Sequence, residues 1–278
     1  MKNIAIFGSS GMAGHMISLY LKQTHKYNII NISRDENNCD VFFDVLYHID
    51  NIKKIIQENN INIIINCIGI LPNKIEENIS NSIYINSYFP QILENITKDT
   101  SVRIIHLSTD CVFSGNRGDY DENDIPDGNS YYSRTKHMGE INNNKDLTIR
   151  LSIIGPEIRN KNRGLFNWFM NQNNSIKGFT NVYWSGITTL DLSIIIEQII
   201  ESSISGLYHI TSGIKISKFK LLDIIKNIFD KDIEIIPLDK PVFDKTLKTI
   251  RNEIEYNPIS YEVMIDELKV WMINNKYL

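Results

Sequence analysis

The segment NIAIFGSSGMAGHM, residues 3–16, constrains this chain most: an apolar run of strand length passes directly into glycines at 8, 11 and 14 and then into an amphipathic helix. Glycines spaced GxxGxxG at such a junction permit a tight turn and a close approach of backbone to ligand. A pyrophosphate can then rest on the helix N-terminus, where backbone N–H groups lack partners. A glycine triplet alone is weak evidence, because a plain strand-to-helix turn uses the same residues. Its meaning depends on the rest of the chain.

Beyond the turn, strands and helices alternate. Strand-like NIAIF (3–7), YNIINIS (27–33), INIIINCIG (61–69), VRIIHLS (102–108) and LTIRLS (147–152) are separated by helix-like segments at 12–23, 48–60 and 80–98, and by a helix reaching from NSYYSRTK (129–136) to about Asn143. Strands separated by helices make βαβ units, so the fold class predicted is α/β: a doubly wound parallel sheet of the Rossmann kind with a smaller C-terminal lobe. From Gly155 the rhythm becomes irregular, with a loop and helix rich in Asn and aromatics. The segment TLDLSIIIEQIIES (189–202) is expected to return to the first domain. ISKFKLLDIIKNIFD, capped by Ser217, and SYEVMIDELKVWMINN read as helices of the second lobe. The expected division is a Rossmann domain over 1–154, joined by a returning segment at about 180–204, and a mostly substrate-binding lobe over 155–278. A cleft should lie at the carboxyl ends of the strands.

Composition narrows the partners. With 42% hydrophobic and 22% charged residues and a net charge of -4, the 278-residue chain gives no reason to expect nucleic acid or an anionic membrane. Its apolar runs are short and broken by Asn, and the first residues lack a signal-peptide layout, so a cytoplasmic location is expected. Cys39, Cys67 and Cys111 form no CxxC pair, which suits a reducing compartment, and no metal site is expected.

Two tyrosines stand side by side in NSYYSRTK. A helix turns about 100° per residue, so Lys136 lies nearly above Tyr132, four residues earlier, while Tyr131 points around the side. An ammonium beside a phenol favours the phenolate, which makes tyrosine a more effective proton donor. Alone, the spacing also fits an amphipathic helix with a half-buried Tyr and a solvated Lys. At the end of the second strand, Ser33 and Arg34 stand where an NAD-preferring site presents an acid, and an arginine there can pair with a 2′-phosphate. NADPH is therefore the expected cofactor, with NADH the alternative. Asp44, after VFF, reads as an adenine contact or a turn cap.

The glycine turn, the helix segment YINSYFP, the segment HLSTDCVFSG (106–115) and YSRTKHMGE together resemble the extended short-chain dehydrogenase/reductases. Within them the chain is most similar to the dTDP-4-dehydrorhamnose reductase branch, over essentially its whole length, including RLSIIGPE, WSGITTLDLS and GLYHITSG. The resemblance implies Tyr132 as catalytic acid, Lys136 lowering its pKa and holding the nicotinamide ribose, and Thr109 bonding the substrate carbonyl. It implies cofactor contacts from Gly8, Ser10, Gly11, Met12, Gly14, Ser33, Arg34, Asp44, Val45, Cys67, Ile68 and Gly69. Asn86 matches a helix asparagine that supports a proton relay, though a helix-surface amide reads equally well. Substrate contacts are expected from Leu71, Asp110, Cys111, Phe166, Trp168 and Trp184, and either tryptophan could be a core aromatic instead.

The activity implied is NADPH-dependent reduction of the C4 ketone of a nucleotide-linked 4-keto-6-deoxyhexose, with a UDP-linked 2-acetamido sugar as the subgroup reading and a homodimer as the assembly. Two residues depart from the branch: Ser133 replaces a usual Gly, and Cys111 a usual Tyr. In enzymes similar to GDP-fucose synthase a cysteine at this place acts in epimerisation beside a histidine. Here the region after the sixth strand contains no histidine, and Lys161 or Arg163 would have to take its place. Packing is the plainer reading of Cys111. The alternatives are a bifunctional epimerase/reductase and a non-catalytic NADP-binding regulatory subunit.

Overall fold

The computed structural model describes residues 1–75, 77–158, 164–256 and 259–277. Its central sheet contains β1 (Lys2–Phe7), β2 (Tyr27–Ser33), β3 (Val41–Phe42), β4 (Ile63–Asn66), β5 (Arg103–Leu107), β6 (Leu147–Leu151) and an edge strand, Gly206–Ile210. Across the sheet the order is β3-β2-β1-β4-β5-β6 and then the edge strand, and every pairing is parallel. The order reverses between β1 and β4, the topological switch point at which such sheets bind ligands.

Both faces of the sheet are covered, which is why β1 reads as a continuous apolar run rather than an alternating one. Ile4 and Ile6 enter one core with Met16, Ile17 and Leu21 of helix α1 (Met12–Thr24). Ala5 and Phe7 enter the opposite core with Ile52 and Ile55 of α2 (Ile52–Glu58) and with Phe89 and Leu93. The helix Thr189–Glu201 packs beside α1, where the Tyr20 hydroxyl donates to Glu197 at 3.0 Å and Lys26 pairs with the same carboxylate at 2.7 Å.

Three elements differ from the sequence reading for local reasons. The strand expected over 61–69 ends at Asn66, because the Asn66 amide oxygen accepts the Ile68 N–H at 3.1 Å and turns the chain out of the sheet. The tyrosine helix runs only Tyr131–Met138. Gly139 closes it, at a point where an added Cβ would lie 2.0 Å from the Asn86 carbonyl oxygen. The helix at 79–97 contains a π-helical turn, Tyr84–Tyr88, between α-helical Ile79–Ile83 and Phe89–Thr97. Such turns displace one residue from the regular ladder and recur at functional sites.

The smaller lobe contains the helices Lys218–Ile228 and Tyr261–Asn274, capped by Ser217 and Ser260 side chains that accept N–H groups of the first turn. Short strands join it, among them Val182–Trp184 between Ile216–Ser217 and Phe243–Asp244. No helix of the described residues is long and apolar enough to cross a membrane.

Candidate active site

The turn after β1 is built for close approach. Gly8 has φ +82°, and an added Cβ on Gly14 would lie 2.3 Å from the Gly8 carbonyl oxygen, so α1 can sit this close to the turn only with glycine there. Gly11 caps α1 without any side-chain hydrogen bond, and the first turn of α1 has no acid. Its N–H groups are therefore left for an outside acceptor. The Ser9 hydroxyl is buried with no partner among the described residues.

A cavity of about 330 Å³ opens in front of this turn. Gly8, Ser10 and Gly11 line it from the turn, Ser33 and Arg34 from the end of β2, Asp44 and Val45 from the following loop, and Cys67, Ile68 and Gly69 from the segment leaving β4. Met12, Gly14, Asn86, Tyr132 and Lys136 are not among the residues that line it. Lys74, Glu77, Asn78 and Asn81 also line the cavity and carry no signal in the sequence. Asp44 lines the cavity, and its carboxylate caps a turn by accepting the Leu46 N–H at 2.9 Å. The same carboxylate lies 3.8 Å from the Arg34 guanidinium. An uncapped helix N-terminus, an orphaned buried hydroxyl and a glycine cradle with a cation at its rim fit a dinucleotide.

Beside the cavity, the carboxyl end of β5 meets the tyrosine helix. Thr109 caps the turn Asp110–Val112: its hydroxyl accepts the Cys111 N–H at 3.1 Å and donates to the Asp110 carboxylate at 3.1 Å. The Tyr132 phenol hydrogen-bonds Thr109. Tyr131, by contrast, is 53% exposed, so the two neighbouring rings are separated as the helical turn requires.

Lys136 is buried, and its ammonium donates to the Leu107 carbonyl at 2.8 Å. Burial pulls its pKa down to about 8, against the favourable charge of Glu140. The lowered Tyr132 pKa expected from Lys136 is not found in the protein alone. Burial raises the phenol, nearby Cys111 and Asp110 raise it further, and only the Thr109 hydrogen bond opposes them. The physical reason is that the Lys136 ammonium is turned to a backbone carbonyl instead.

Asn86 is fully buried, not a surface amide. Held in the π-helical turn, it accepts the Ile70 N–H at 2.7 Å, donates to the Ile70 carbonyl at 3.1 Å and donates to the Thr135 hydroxyl at 3.3 Å. It thereby ties the loop after β4 to the tyrosine helix. Glu140, four residues after Lys136, is a residue that sequence reasoning misses, although that spacing is the signal that could find it. Its carboxylate takes two 2.8 Å bonds from Arg150, one of 2.7 Å from Ser108 and one of 3.0 Å from His137, which hold its pKa down at about 2.

The expected substrate residues separate into groups. Asp110 is buried and Cys111 half-buried at the site; burial and Asp110 push the Cys111 thiol up to about 12. Leu71 is half-buried on the loop after β4, and Trp168 is 37% exposed on the helix Gly164–Met170. Phe166 is 3% exposed and packs edge-on against Phe229 at 5.1 Å, inside the core. Trp184 is likewise buried and donates to the Ser152 hydroxyl at 2.7 Å, but Lys218 rests 4.8 Å from the centre of its ring. Lys161 and Arg163 lie outside the described residues. Among those residues no group of His, Cys, Asp and Glu could hold a metal ion.

Residues 1–251 match the family model described as the RmlD substrate binding domain. The chain belongs to this family. Its fold is that of solved dTDP-4-dehydrorhamnose reductases: the Bacillus anthracis structure in complex with NADP (19% identity, TM-score 0.82, 98% of this chain and 99% of that one) and one from Clostridium acetobutylicum (21%, 0.81, 98% and 99%). A hypothetical member from Sulfolobus tokodaii is 24% identical with a TM-score of 0.80, over 94% of this chain and 98% of the other. No curated protein matches the chain significantly.

Proposed function

We propose that this protein reduces the C4 ketone of a nucleotide-linked 4-keto-6-deoxyhexose, using NADPH. The observation that carries the reading is the meeting of the Thr109 and Tyr132 hydroxyls, with Lys136 one helical turn on, beside a cavity built for a dinucleotide. The family membership and the likeness to NADP-bound and related reductases agree with it. In this reading residues 1–154 with the returning segment hold the cofactor, and the smaller lobe holds the sugar. A UDP-linked 2-acetamido-6-deoxy sugar is the finer form of the proposal.

When bound, the cofactor supplies hydride to the ketone carbon. The chain's own residues do the rest. Thr109 holds the carbonyl oxygen, and Tyr132 delivers its proton to that oxygen as negative charge develops there. A phenol kept protonated by burial is a loaded donor at neutral pH. Lys136 would hold the ribose hydroxyls, and Asn86 fixes the loop after β4 that lines the cofactor cavity. Arg34 would meet the 2′-phosphate at the cavity rim.

The test supplies purified protein and NADPH with a panel of dTDP-, UDP- and GDP-linked 4-keto-6-deoxy sugars and follows both by mass spectrometry. Consumption of one ketone with the mass gain of a hydride and a proton is expected. Binding of NADPH without consumption of any of them would favour the regulatory-subunit reading.

A further inference from the structure

The strand β6 reads LTIRL, and its alternation sends Leu147, Ile149 and Leu151 into one core while Arg150 faces the opposite side of the sheet, where the tyrosine helix packs. Arg150 is 3% exposed, a charge withdrawn almost completely from water. Its guanidinium makes a fork of two 2.8 Å bonds to the Glu140 carboxylate. The remaining nitrogen lies 3.4 Å from Nε2 of His209, its register partner on the edge strand, and the guanidinium carbon sits 5.2 Å from the centre of the Phe113 ring. His209 Nδ1 faces the carbonyls of Tyr120 and Lys248 at 3.2 and 3.1 Å, so that nitrogen carries the proton and Nε2 accepts from Arg150.

Glu140 and Phe113 belong to the segments that carry the reaction. Glu140 stands just past the end of the helix Tyr131–Met138 and also accepts from the hydroxyl of Ser108, the residue before Thr109, at 2.7 Å. Phe113 closes the turn that Thr109 begins, donating its N–H to the Asp110 carbonyl at 3.0 Å. Arg150 therefore holds the Thr109 segment at both ends and the helix of Tyr132 and Lys136 at its C-terminal end. The segments also meet directly at Gly128, where an added Cβ would lie 2.6 Å from the Ser133 Cβ and 2.7 Å from the Val112 carbonyl oxygen. Stability does not explain a charged pair at this place, because apolar groups of similar volume are often as stable once the desolvation of both ions is counted. What the guanidinium supplies and apolar groups lack is direction: a planar fork and a flat face that fix its partners relative to one another.

Resting on the proposed reading, we infer that Arg150 is a positioning residue, which fixes the Thr109 turn against the tyrosine helix so that the Thr109 and Tyr132 hydroxyls converge on one carbonyl oxygen. Arg150 is not among the residues that line the cofactor cavity, so its effect reaches the chemistry through the groups it aligns. A displacement of about 1 Å at such a meeting point costs on the order of a hundredfold in rate.

The experiment compares wild type, Arg150→Lys and the double variant Glu140→Gln with Arg150→Met in the full-length protein. It measures kinetics with the ketone that wild type consumes, NADP⁺ affinity by calorimetry, thermal melting, and crystal structures with NADP⁺ bound. The double variant leaves no charge of the pair buried alone, so it should recover most of the stability that Glu140→Gln by itself loses and should bind NADP⁺ within about twofold of wild type. Its kcat should nevertheless fall by about a hundredfold while KM for the ketone changes by less than about threefold, and the Thr109 and Tyr132 hydroxyls should part by about 1 Å. Arg150→Lys, which keeps the charge without the planar fork, should lose about tenfold in kcat. Wild-type kcat in the double variant would overturn the inference and leave the reductase reading intact. Hydroxyls that stay in place in the double variant would overturn it whatever the kinetics. If wild type turns over no ketone, parting of the hydroxyls would uphold the inference while the reductase reading falls. Should the double variant not fold, Arg150→Lys decides by the same two readouts, kcat and the separation of the hydroxyls.

Discussion

Lys136 donates a 2.8 Å hydrogen bond to the carbonyl of Leu107, the last residue of β5, from a fully enclosed position on the neighbouring helix. That bond does not offset the burial of the ammonium, whose pKa falls from 10.5 to about 8. The shift corresponds to roughly 3 kcal/mol of destabilisation wherever the lysine is charged in both folded and unfolded states. It is present in full below about pH 8 and is relieved as pH rises from there toward the unfolded value. Lys136→Met should therefore abolish turnover yet raise the melting temperature at pH 7, with the gain shrinking between about pH 8 and 10.5. A variant less stable than wild type at pH 7 would mean that the Leu107 bond outweighs the burial cost.

Glu140 shifts stability in the opposite pH range. Its carboxyl is held at about 2 by Arg150, His137 and Ser108, below the ordinary 4.5, with its side chain 8% exposed. A depressed carboxyl contributes stability that is complete above its unfolded pKa and is lost as pH falls through the folded one. Wild type should lose roughly 3 kcal/mol between about pH 4.5 and 2 from this group alone. Glu140→Gln should be destabilised by about 3–5 kcal/mol at pH 7, because Arg150 is left buried without its partner. It should also lack that part of the acid slope. Denaturant unfolding at stepped pH measures both.

The two tyrosines should separate cleanly. Tyr132→Phe keeps the ring and removes the proton, so kcat should fall by about a hundredfold to ten-thousandfold with NADPH affinity retained. Tyr131→Phe, at an exposed position, should stay within about twofold of wild type. The reverse ranking would mean that the proton donor is not the ring facing Thr109.

How much of the fold and site is legible in the sequence depends on how local each signal is. The β1 turn and its glycines, the end of β2 at Ser33, and the cap Ser217 are written in adjacent residues, and the structure reproduces them. The edge strand Gly206–Ile210 does not read as a strand. Its His209 is buried through backbone carbonyls of Tyr120 and Lys248, partners remote in sequence, so the apolar pattern is broken. Asn86 looks like a surface amide on any regular helix, and only the π-helical turn and the loop after β4 reveal what it holds. Phe166 and Lys218 are unreadable for a shared reason. Whether an aromatic or a lysine of the smaller lobe meets core, solvent or cleft is decided by tertiary packing, to which their own neighbours in sequence give no clue.

Arg34 is largely exposed and lies 3.8 Å from Asp44, a distance at which the pair leaves the guanidinium free to meet another anion. If it meets a 2′-phosphate, Arg34→Ala should weaken NADPH by about tenfold and NADH by less than about twofold. Fluorescence titration of both cofactors reads the ratio. Equal losses would make Arg34 a surface residue and return the choice of cofactor to other parts of the cavity rim.

Cys111 decides between the simple reductase and the bifunctional enzyme. Removing a proton from the carbon beside a ketone requires a thiolate, and burial next to Asp110 holds this thiol protonated, with its pKa pushed up to about 12. The Cys111 N–H is committed to the Thr109 hydroxyl at 3.1 Å, so the residue helps to orient the carbonyl-binding group through its backbone whatever its side chain does. Wild type should therefore reduce without epimerising. Incubated with a 4-keto-6-deoxy nucleotide sugar in deuterated water, without reducing cofactor, it should leave C3 and C5 unexchanged by NMR. Cys111→Ser, which keeps the backbone bond and changes only the side chain, should reduce the ketone within a few-fold of wild type. Exchange in wild type that disappears in Cys111→Ser would reverse the reading, because it would require the thiolate to form on the substrate's arrival.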